Sequence, residues 1–199
     1  MTTTFFLVRH AAHGLLDRTL CGRMAGVLLG EEGQAQAEAV AGRLAGESIA
    51  AIYTSPLERA RATAAPIATR LETEARVAAE MDEIDFGEWA GRSFDELRAE
   101  PRWALWNSAR AITRPPGGET MLEAQARALR GIERFRTEHG ESGVVLVSHS
   151  DVIKAVLAFF LGLSLDDLAR FEISPASVST VAVGDWGAKV MGMNEVVRA

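Results

Sequence analysis

A short apolar run near the start of the chain ends abruptly in an arginine and a histidine. Phe5 to Val8 carry only aromatic, aliphatic and β-branched side chains, which is typical of a strand buried on both faces. Such a strand lies in the middle of a sheet, and its carboxyl end opens where α/β proteins bind their ligands. There Arg9 offers a planar fork of donors suited to phosphate, and His10 offers an imidazole that can attack, accept or donate.

The same pattern recurs in the second half of the chain. Val144 to Val147 form another apolar run, and Ser148 and His149 follow it directly. The chain has only four histidines, and two of them come after its two most strand-like runs. Since ligands bind at the carboxyl ends of parallel strands, the two histidines are predicted to converge at one edge of one sheet.

The composition is that of a globular chain, and it limits what the protein can bind. Hydrophobic residues make up 48% and charged residues 24% of the 199 residues, which predicts a single domain, residues 1–199. The net charge of −6 argues against general binding to nucleic acid or to anionic membranes. Any anion must therefore meet a local cluster of arginines. The sequence makes no prediction of oligomeric state.

The chain carries one cysteine and no segment typical of export or of membrane insertion. Cys21 alone provides no disulfide framework and no cysteine-based zinc site, which fits a reducing compartment. No basic region precedes the first apolar run, unlike in a secretory signal. The longest apolar block, residues 152–163, is interrupted by Lys154 and is too short to span a bilayer. We therefore expect a cytoplasmic protein.

Strand patterns and helix patterns alternate along most of the chain. Strands are predicted at residues 5–8, 50–54 and 143–148, with an extended segment over 76–84 and a terminal hairpin from 177–183 and 189–193. Helices are predicted over 31–46, from Ser55 to about Leu71, over 93–99, from about Thr120 to Glu138, over 152–161 and over 165–169. This alternation predicts an α/β fold: a three-layer α/β/α sandwich with a largely parallel central sheet.

Further residues that can carry chemistry follow these elements. Arg59 lies near the start of the helix predicted after the second strand, and Glu83 enters a turn punctuated by glycine. His149 precedes Ser150 at a predicted helix start, where free backbone N–H groups favour an anion. Together with the end of the first strand, these residues would form a phosphate site with an acid–base partner.

Five segments that contain these residues resemble the histidine phosphatase superfamily, also called phosphoglycerate-mutase-like. In the order of the chain they are LVRHA (7–11), YTSPLERARATA (53–64), EIDFGEW (83–89), PGGET (116–120) and VSH (147–149). Each segment alone is a weak signal. They occur in the family's order over nearly the whole chain, however, and the ordered set is a strong one.

The resemblance implies a role for each of the residues at the predicted sheet edge. His10 would be the nucleophile that forms a phosphohistidine, and a neutral imidazole, with a pKa near about 6.5, is a competent nucleophile near pH 7. The residues implied to bind the phosphoryl oxygens are Arg9, Arg59, His149 and Ser150. Because side chains supply the positive charge, no metal and no other cofactor is required.

The resemblance also implies the proton donor and two substrate contacts. Glu83 would protonate the leaving alkoxide and later deprotonate the attacking water, a role typically worth roughly 10²–10⁴-fold in rate. Arg23, in the loop after the first strand, and Glu119, in the fourth matching segment, are predicted to bind substrate. The substrate itself is expected to be a small phosphorylated metabolite.

The chain departs from the commonest family pattern at three places. Ala11-Ala12 stands where many members have Gly-Glu, and Leu16 stands where an asparagine often follows. Ser150-Asp151 replaces a usual Gly-Gly after the second histidine. Asp151 would repel a phosphate unless its carboxylate turns toward the free amides of the helix. These departures leave the core chemistry intact and bear on the substrate.

Each piece of the motif set also has an ordinary structural interpretation. Arg9 and His10 could simply cap backbone groups at a strand end. Glu83 competes for the acid role with the other acidic residues of segment 82–88. His13, three residues after His10, could indicate a metal pair, although without a local third ligand an ordinary polar loop residue is the simpler interpretation.

The combined pattern predicts a metal-independent phosphomonoesterase, with an α-ribazole phosphatase or a broad-specificity sugar-phosphate phosphatase as the nearest match in size. A phosphoglycerate-mutase-type transfer uses the same intermediate, but mutases of this family are usually longer. Two other classes stay open: a non-catalytic protein of the same fold that binds a phosphorylated ligand, and a metal-dependent hydrolase that uses His10, His13 and His149.

Overall fold

The computed structural model describes residues 1–197. The strands are β1 (Thr2–Arg9), β2 (Ile49–Thr54), β3 (Ala75–Val77), β4 (Gly143–Ser148), β5 (Ser177–Gly184) and β6 (Gly187–Val196). The α-helices are α1 (Glu31–Leu44), α2 (Glu58–Arg70), α3 (Phe94–Arg98), α4 (Pro101–Ser108), α5 (Met121–His139) and α6 (Ser150–Leu161). Short 3₁₀ helices lie at Ala79–Met81, Gly87–Trp89 and Leu165–Arg170.

The strands form one six-stranded sheet in the order β3-β2-β4-β1-β5-β6. The first four strands of this order run parallel to one another, whereas β5 is antiparallel to β1, and β6 is antiparallel to β5. The two strands that precede the histidines, β1 and β4, are direct neighbours at the centre of the sheet. The predicted α/β fold with a largely parallel central sheet is therefore confirmed.

Helices cover both faces of the sheet and bury the strands between them. On one face, Val40 of α1 and Ile67 of α2 pack in one apolar cluster with Val8 of β1. On the other face, Phe135 of α5 and Leu157 of α6 belong to a second cluster. All six residues of β4 are buried, and burying an aliphatic side chain contributes roughly 1.5–3 kcal/mol. The uninterrupted apolar runs thus correspond to central strands.

The helix after β2 begins later than predicted. Ser55 does not start α2, because its backbone N–H donates to the carbonyl of Val147 at 2.9 Å and so continues the pairing of β2 with β4. The helix itself begins at Glu58. The start of α3 agrees with the sequence, since Ser93 and Glu96 form the reciprocal hydrogen bonds of a capping box.

The extended segment predicted over residues 76–84 is interrupted in its middle by a 3₁₀ helix. Strand β3 ends at Val77, and the N–H of Ala78 makes a last hydrogen bond to Thr54. The chain then turns through the 3₁₀ helix Ala79–Met81, whose last carbonyl accepts a hydrogen bond from the Ser148 hydroxyl at 2.7 Å. This turn brings the acidic residues that follow to the carboxyl edge of the sheet.

The last two strands form the predicted terminal hairpin, which is longer than the sequence indicated. Strands β5 and β6 span eight and ten residues, and they pair antiparallel from Ser177–Val196 to Gly184–Gly187. Of the two hairpin strands, β5 is the one that pairs with β1, so the hairpin extends the sheet on the side away from β2. Within residues 1–197, no helix is both long and apolar enough to cross a membrane.

Candidate active site

The structure brings the ends of β1 and β4 together at the carboxyl edge of the sheet. Arg9 pairs with Ser148 in the register of the two strands, and the next residue of each strand is a histidine. The ring centroids of His10 and His149 are 5.2 Å apart. The predicted convergence of the two histidines is therefore present in the fold.

A cavity of about 150 Å³ opens at this edge. Five of the predicted site residues line it: Arg9, His10, Arg59, Glu83 and Ser150. The other residues that line it are His13, Leu16, Asp17, Thr19, Leu20, Cys21, Gly22, Phe86, Phe94 and Asp151. His149 is fully buried, and it contacts Arg59 and Glu83, which line the cavity.

His10 presents one ring nitrogen that is free to attack. Its Nδ1 lies 2.9 Å from the carbonyl oxygen of Ala11, and because a carbonyl only accepts, Nδ1 carries the proton. The lone pair is then on Nε2. Burial, followed by the charge of Arg59, lowers the pKa of His10 well below its ordinary value of 6.5. The imidazole is neutral at physiological pH, as a nucleophile must be.

The buried Arg59 and the half-buried Arg9 have buried guanidinium nitrogens without partners. Arg59 is 1% exposed; its Nη2 donates to the carbonyl of Gly22 at 2.7 Å. Within residues 1–197, its Nε and Nη1 have no hydrogen-bond partner, and neither does Nε of Arg9. Leaving a buried charged donor unpaired is costly, so these nitrogens favour an anion in the cavity. A phosphoryl group offers the acceptor oxygens that they lack.

His149 is held by a chain of hydrogen bonds from three elements. Its Nε2 lies 2.9 Å from Oγ of Ser55, and that hydroxyl donates to Oδ1 of Asp82 at 3.1 Å. Nε2 therefore donates to Ser55, and the lone pair of Nδ1 accepts from Nη2 of Arg59 at 3.3 Å. Burial, followed by the charge of His10, lowers the pKa of His149 well below 6.5. The ring orients Arg59.

Glu83 is the acidic residue of segment 82–88 that lines the cavity. One of its carboxylate oxygens lies 3.6 Å from Nδ1 of His149, and the other accepts from the N–H of Ile84 at 2.9 Å. Burial, followed by the negative charge of Asp151, raises the pKa of Glu83 to about 7. A carboxyl group with this pKa can serve as both acid and base near neutral pH.

Arg23 and Glu119, predicted to bind substrate, lie beside the Glu83 segment and are not among the residues that line the cavity. Arg23 donates to the carbonyl of Glu83 at 2.8 Å and to Glu119 at 2.9 Å. Glu119 also accepts from Arg127 at 2.7 Å and from the N–H of Asp85 at 3.0 Å. These contacts brace the turn that carries Glu83, and substrate binding by either residue stays a prediction.

The two residues that depart from the family's usual Gly-Gly begin α6. Ser150 and Asp151 both line the cavity, and they occupy the first turn of the helix, whose free N–H groups favour an anion. The Asp151 carboxylate does not turn to those amides: it accepts from Nη1 of Arg110 at 3.0 Å. This ion pair offsets part of the negative charge that the sequence suggested would repel phosphate.

Sequence reasoning missed three residues of this network. Ser55 and Asp82 hold His149, and Arg110 holds Asp151. The Ser-Pro pair that directly follows β2 was a usable signal for Ser55, because it stands at the same sheet edge as the histidines. Arg110 gives no such signal, since its place depends on how the segment containing α4 folds over the site.

His13, interpreted from the sequence as an ordinary polar loop residue, lies in the wall of the cavity. Its ring stacks on that of His10 with centroids 5.3 Å apart. Burial, followed by the charge of Arg59, lowers the pKa of His13 to about 4. Among residues 1–197, no group of three or more histidine, cysteine, aspartate or glutamate side chains is placed to hold a metal ion.

The family assignment agrees with this geometry. A model of the histidine phosphatase superfamily (branch 1) matches residues 5–196. The chain therefore belongs to the histidine phosphatase superfamily, and the resemblance seen in its five motifs is confirmed.

Known relatives extend this assignment. Phosphoserine phosphatase 1 of Hydrogenobacter thermophilus is 30% identical over 193 residues, which are 94% of this chain and 90% of the relative. Bifunctional protein Rv2228c of Mycobacterium tuberculosis is 34% identical over 180 residues, or 89% of this chain, which spans about half (49%) of that relative. The structure of mycobacterial glucosyl-3-phosphoglycerate phosphatase Rv2419c superposes with a TM-score of 0.89 at 24% identity, covering 98% of this chain and 100% of the other, which shows a shared fold.

Proposed function

We propose that the protein is a metal-independent phosphomonoesterase that acts on a small phosphorylated metabolite through a phosphohistidine at His10. The observation that carries this proposal is the cavity in which a neutral imidazole faces two arginines with buried, unpaired nitrogens. The arginines provide the positive charge that a phosphoryl group requires, and the imidazole provides the electron pair.

In the first step, Nε2 of His10 attacks the phosphorus atom while the bond from phosphorus to the ester oxygen breaks. Arg9 and Arg59 hold the phosphoryl oxygens as their charge redistributes. Glu83, protonated because of its raised pKa, gives its proton to the leaving oxygen, which departs as an alcohol. The products are phospho-His10 and a carboxylate at Glu83.

In the second step, the Glu83 carboxylate takes a proton from water as the water oxygen attacks phosphorus. The nitrogen–phosphorus bond breaks, and His10 recovers its lone pair. Inorganic phosphate leaves, and Glu83 is again protonated for the next cycle. One residue can perform both transfers because its pKa of about 7 places both protonation states within reach near neutral pH.

His149 completes the phosphoryl site in this proposal. Its Nδ1 accepts a hydrogen bond from Arg59, so a direct bond to a phosphoryl oxygen requires a proton on that nitrogen. The negative charge of a bound phosphoryl group favours the protonated imidazole. His149 therefore first orients Arg59 and, once substrate is bound, donates to the phosphoryl group.

The relatives support small phosphorylated metabolites as the substrate class. One relative is named a phosphoserine phosphatase, and a structural neighbour is a glucosyl-3-phosphoglycerate phosphatase. A cavity of about 150 Å³ fits a phosphoryl group with a compact organic part. A mutase would have to return the phosphoryl group to substrate before water reached phospho-His10.

The test is hydrolysis of p-nitrophenyl phosphate in excess EDTA by the wild type, His10→Ala and His13→Ala. We expect chelator-resistant release of phosphate by the wild type, none above background by His10→Ala, and substantial turnover by His13→Ala, which keeps the nucleophile. Activity that EDTA abolishes and zinc restores would favour the metal-dependent alternative. Binding of phosphate by the wild type without turnover of any phosphomonoester would favour the non-catalytic one.

A further inference from the structure

The walls of the cavity beyond the two arginines carry negative charge. Asp17 and Asp151 line the cavity together with apolar side chains. Asp17 is exposed and, within residues 1–197, makes no ion pair closer than 4 Å. Burial lowers the pKa of Arg9, and the charges of Glu83, Asp151 and Asp17 oppose that shift, so these carboxylates lie within electrostatic range of the phosphoryl site.

The nearby cations are already engaged or stand outside the cavity. Arg110 is held by Asp151 at 3.0 Å and by the side-chain oxygen of Asn107 at 3.2 Å. Arg18 and Arg23 are not among the residues that line the cavity. His13 lines it but is neutral at physiological pH, because its pKa is about 4.

The two negative charges of a bound phosphoryl dianion would balance the positive charges of Arg9 and Arg59. The organic part of the substrate then faces Asp17 and Asp151, and Arg110 is paired with Asp151 alone of the two. A second anionic group on the substrate would be repelled by Asp17, which has no ion-pair partner within residues 1–197, and by the partly offset charge of Asp151, whereas an ammonium group would be attracted to both carboxylates. The charge balance of the site therefore depends on the substituent next to the phosphate ester.

We propose that Asp17 and Asp151 select phosphomonoesters whose organic part carries an ammonium group close to the phosphate, and disfavour those that carry a second anion. This inference rests on the proposed phosphatase function and names its substrate class. It also gives a role to the Ser150-Asp151 pair that replaces the family's usual glycines. Asp17 and Asp151 act here on specificity and take no part in the bond-making steps.

The Asp151–Arg110 pair allows a test in two opposite directions. Asp151→Asn removes a carboxylate and releases the Arg110 guanidinium, so kcat/KM for anionic esters should rise relative to kcat/KM for cationic ones. Arg110→Gln leaves the Asp151 charge unopposed, so cationic esters should gain. A change that merely loosened the loop would move both variants in the same direction. Opposite shifts therefore separate an electrostatic role from a structural one.

The experiment compares three esters of nearly equal size: 2-aminoethyl phosphate, 2-hydroxyethyl phosphate and 2-phosphoglycolate. For the wild type we expect kcat/KM to fall in that order, by about threefold to tenfold at each step, and the steps to shrink at high salt. Each ester is also measured as a competitive inhibitor of p-nitrophenyl phosphate hydrolysis, so that the order is obtained even where turnover is slow.

The variants fix the interpretation. Asp151→Asn and Asp17→Asn should each lower the ratio of kcat/KM for 2-aminoethyl phosphate to kcat/KM for 2-phosphoglycolate, and Arg110→Gln should raise it. The matched control Asp185→Asn, in the turn at the opposite edge of the sheet, should leave this ratio unchanged. Equal kcat/KM for the three esters, or a preference for 2-phosphoglycolate, would overturn the inference while the phosphatase function stands. Failure of the same preparation to hydrolyse p-nitrophenyl phosphate or any of these esters would instead overturn the proposed function.

Discussion

His10 and His149 occupy equivalent places in the chain but have different surroundings. Each follows a buried parallel strand, and the two strands are neighbours at the centre of the sheet. His10 lines the cavity, with Nδ1 held by the Ala11 carbonyl and Nε2 free. His149 is fully buried, and both of its ring nitrogens make polar contacts, one with Ser55 and one with Arg59.

The difference shows what a local pattern does and does not determine. A buried strand ending in histidine brings the imidazole to the edge of the sheet in both cases. Which ring can attack is decided by groups from elsewhere in the chain. Ser55 and Arg59 make hydrogen bonds with both ring nitrogens of His149, whereas a backbone carbonyl engages one nitrogen of His10 and leaves the other available. The same motif thus provides a nucleophile in one place and a positioning residue in the other.

The sharpest way to break this comparison is to ask which histidine carries the phosphoryl group. We expect His10→Ala to lower kcat by about 10⁴-fold or more, because the substitution removes the imidazole that attacks phosphorus in our proposal. Rapid quench at neutral or basic pH, followed by peptide mass spectrometry, should locate the phosphoryl group on His10 in the wild type and nowhere in the variant. Phosphorylation of His149 would reverse the assignment of the two rings.

Glu83→Gln tests whether Glu83 donates the proton to the leaving group or only helps to bind the phosphoryl group. We expect a loss of about 10²–10⁴-fold on alkyl phosphates, whose leaving group needs a proton, and a much smaller loss on p-nitrophenyl phosphate. For the wild type, kcat/KM on alkyl phosphates should fall as the pH rises through about 7, because Glu83 then loses the proton that it must donate. Equal losses on both ester types would remove Glu83 from the acid role, and Glu88→Gln, in the adjacent exposed turn, is the matched control.

The same variant has a predicted effect on stability. The raised pKa means that the folded protein holds the Glu83 proton more tightly than the unfolded chain does. This contribution to stability is present below the ordinary pKa of 4.5 and is lost as the pH rises to about 7. Between pH 5 and pH 8 the wild type should therefore lose roughly 1–3 kcal/mol of unfolding free energy that Glu83→Gln, which has no proton to lose there, keeps. Denaturant titrations at the two pH values measure this, and a parallel pH dependence of the two proteins would contradict it.

His149→Gln should affect all esters alike. His149 orients Arg59 and contacts the phosphoryl group in our proposal, so its loss should cost about 10²-fold on alkyl and aryl phosphates equally. This pattern differs from that of Glu83→Gln, where the leaving group decides the loss. A thermal melt checks the fold, because the side chain is fully buried. Leaving-group dependence like that of Glu83→Gln would assign His149 to proton transfer.

The fold was predictable where strands are buried on both faces and helices have one apolar face. The runs before Arg9 and His149 correspond to the central strands, and the hairpin at the end of the chain is present. The segment 76–84 was not predictable, because β3 is set by pairing with β2 over only three residues. Its turn through Met81 follows from a hydrogen bond to Ser148 that lies far away in the chain.

The candidate site divides in the same way. Residues fixed to strand ends and helix starts, such as His10, Arg59 and Ser150, lie where the motifs predicted. Arg23 and Glu119 were identified by position in the chain alone, and their pairing with one another draws them to the Glu83 turn instead of the cavity wall. Salt bridges between loops leave no periodic signal in a sequence.

The smallest expected effect concerns Ser55, the residue that distinguishes the two histidines. Ser55→Ala removes the acceptor for Nε2 of His149 and the donor to Asp82, while His10 keeps its own bond to Ala11. We expect kcat/KM to fall about tenfold with little change in the pH profile, because the freed His149 ring can turn and no longer fixes Arg59. Ser55→Thr should restore most of the activity by keeping the hydroxyl. If Ser55→Ala had wild-type activity, contacts with Arg59 and Glu83 alone would suffice to hold His149, and the hydrogen bond to Ser55 would not contribute to the difference between the two histidines.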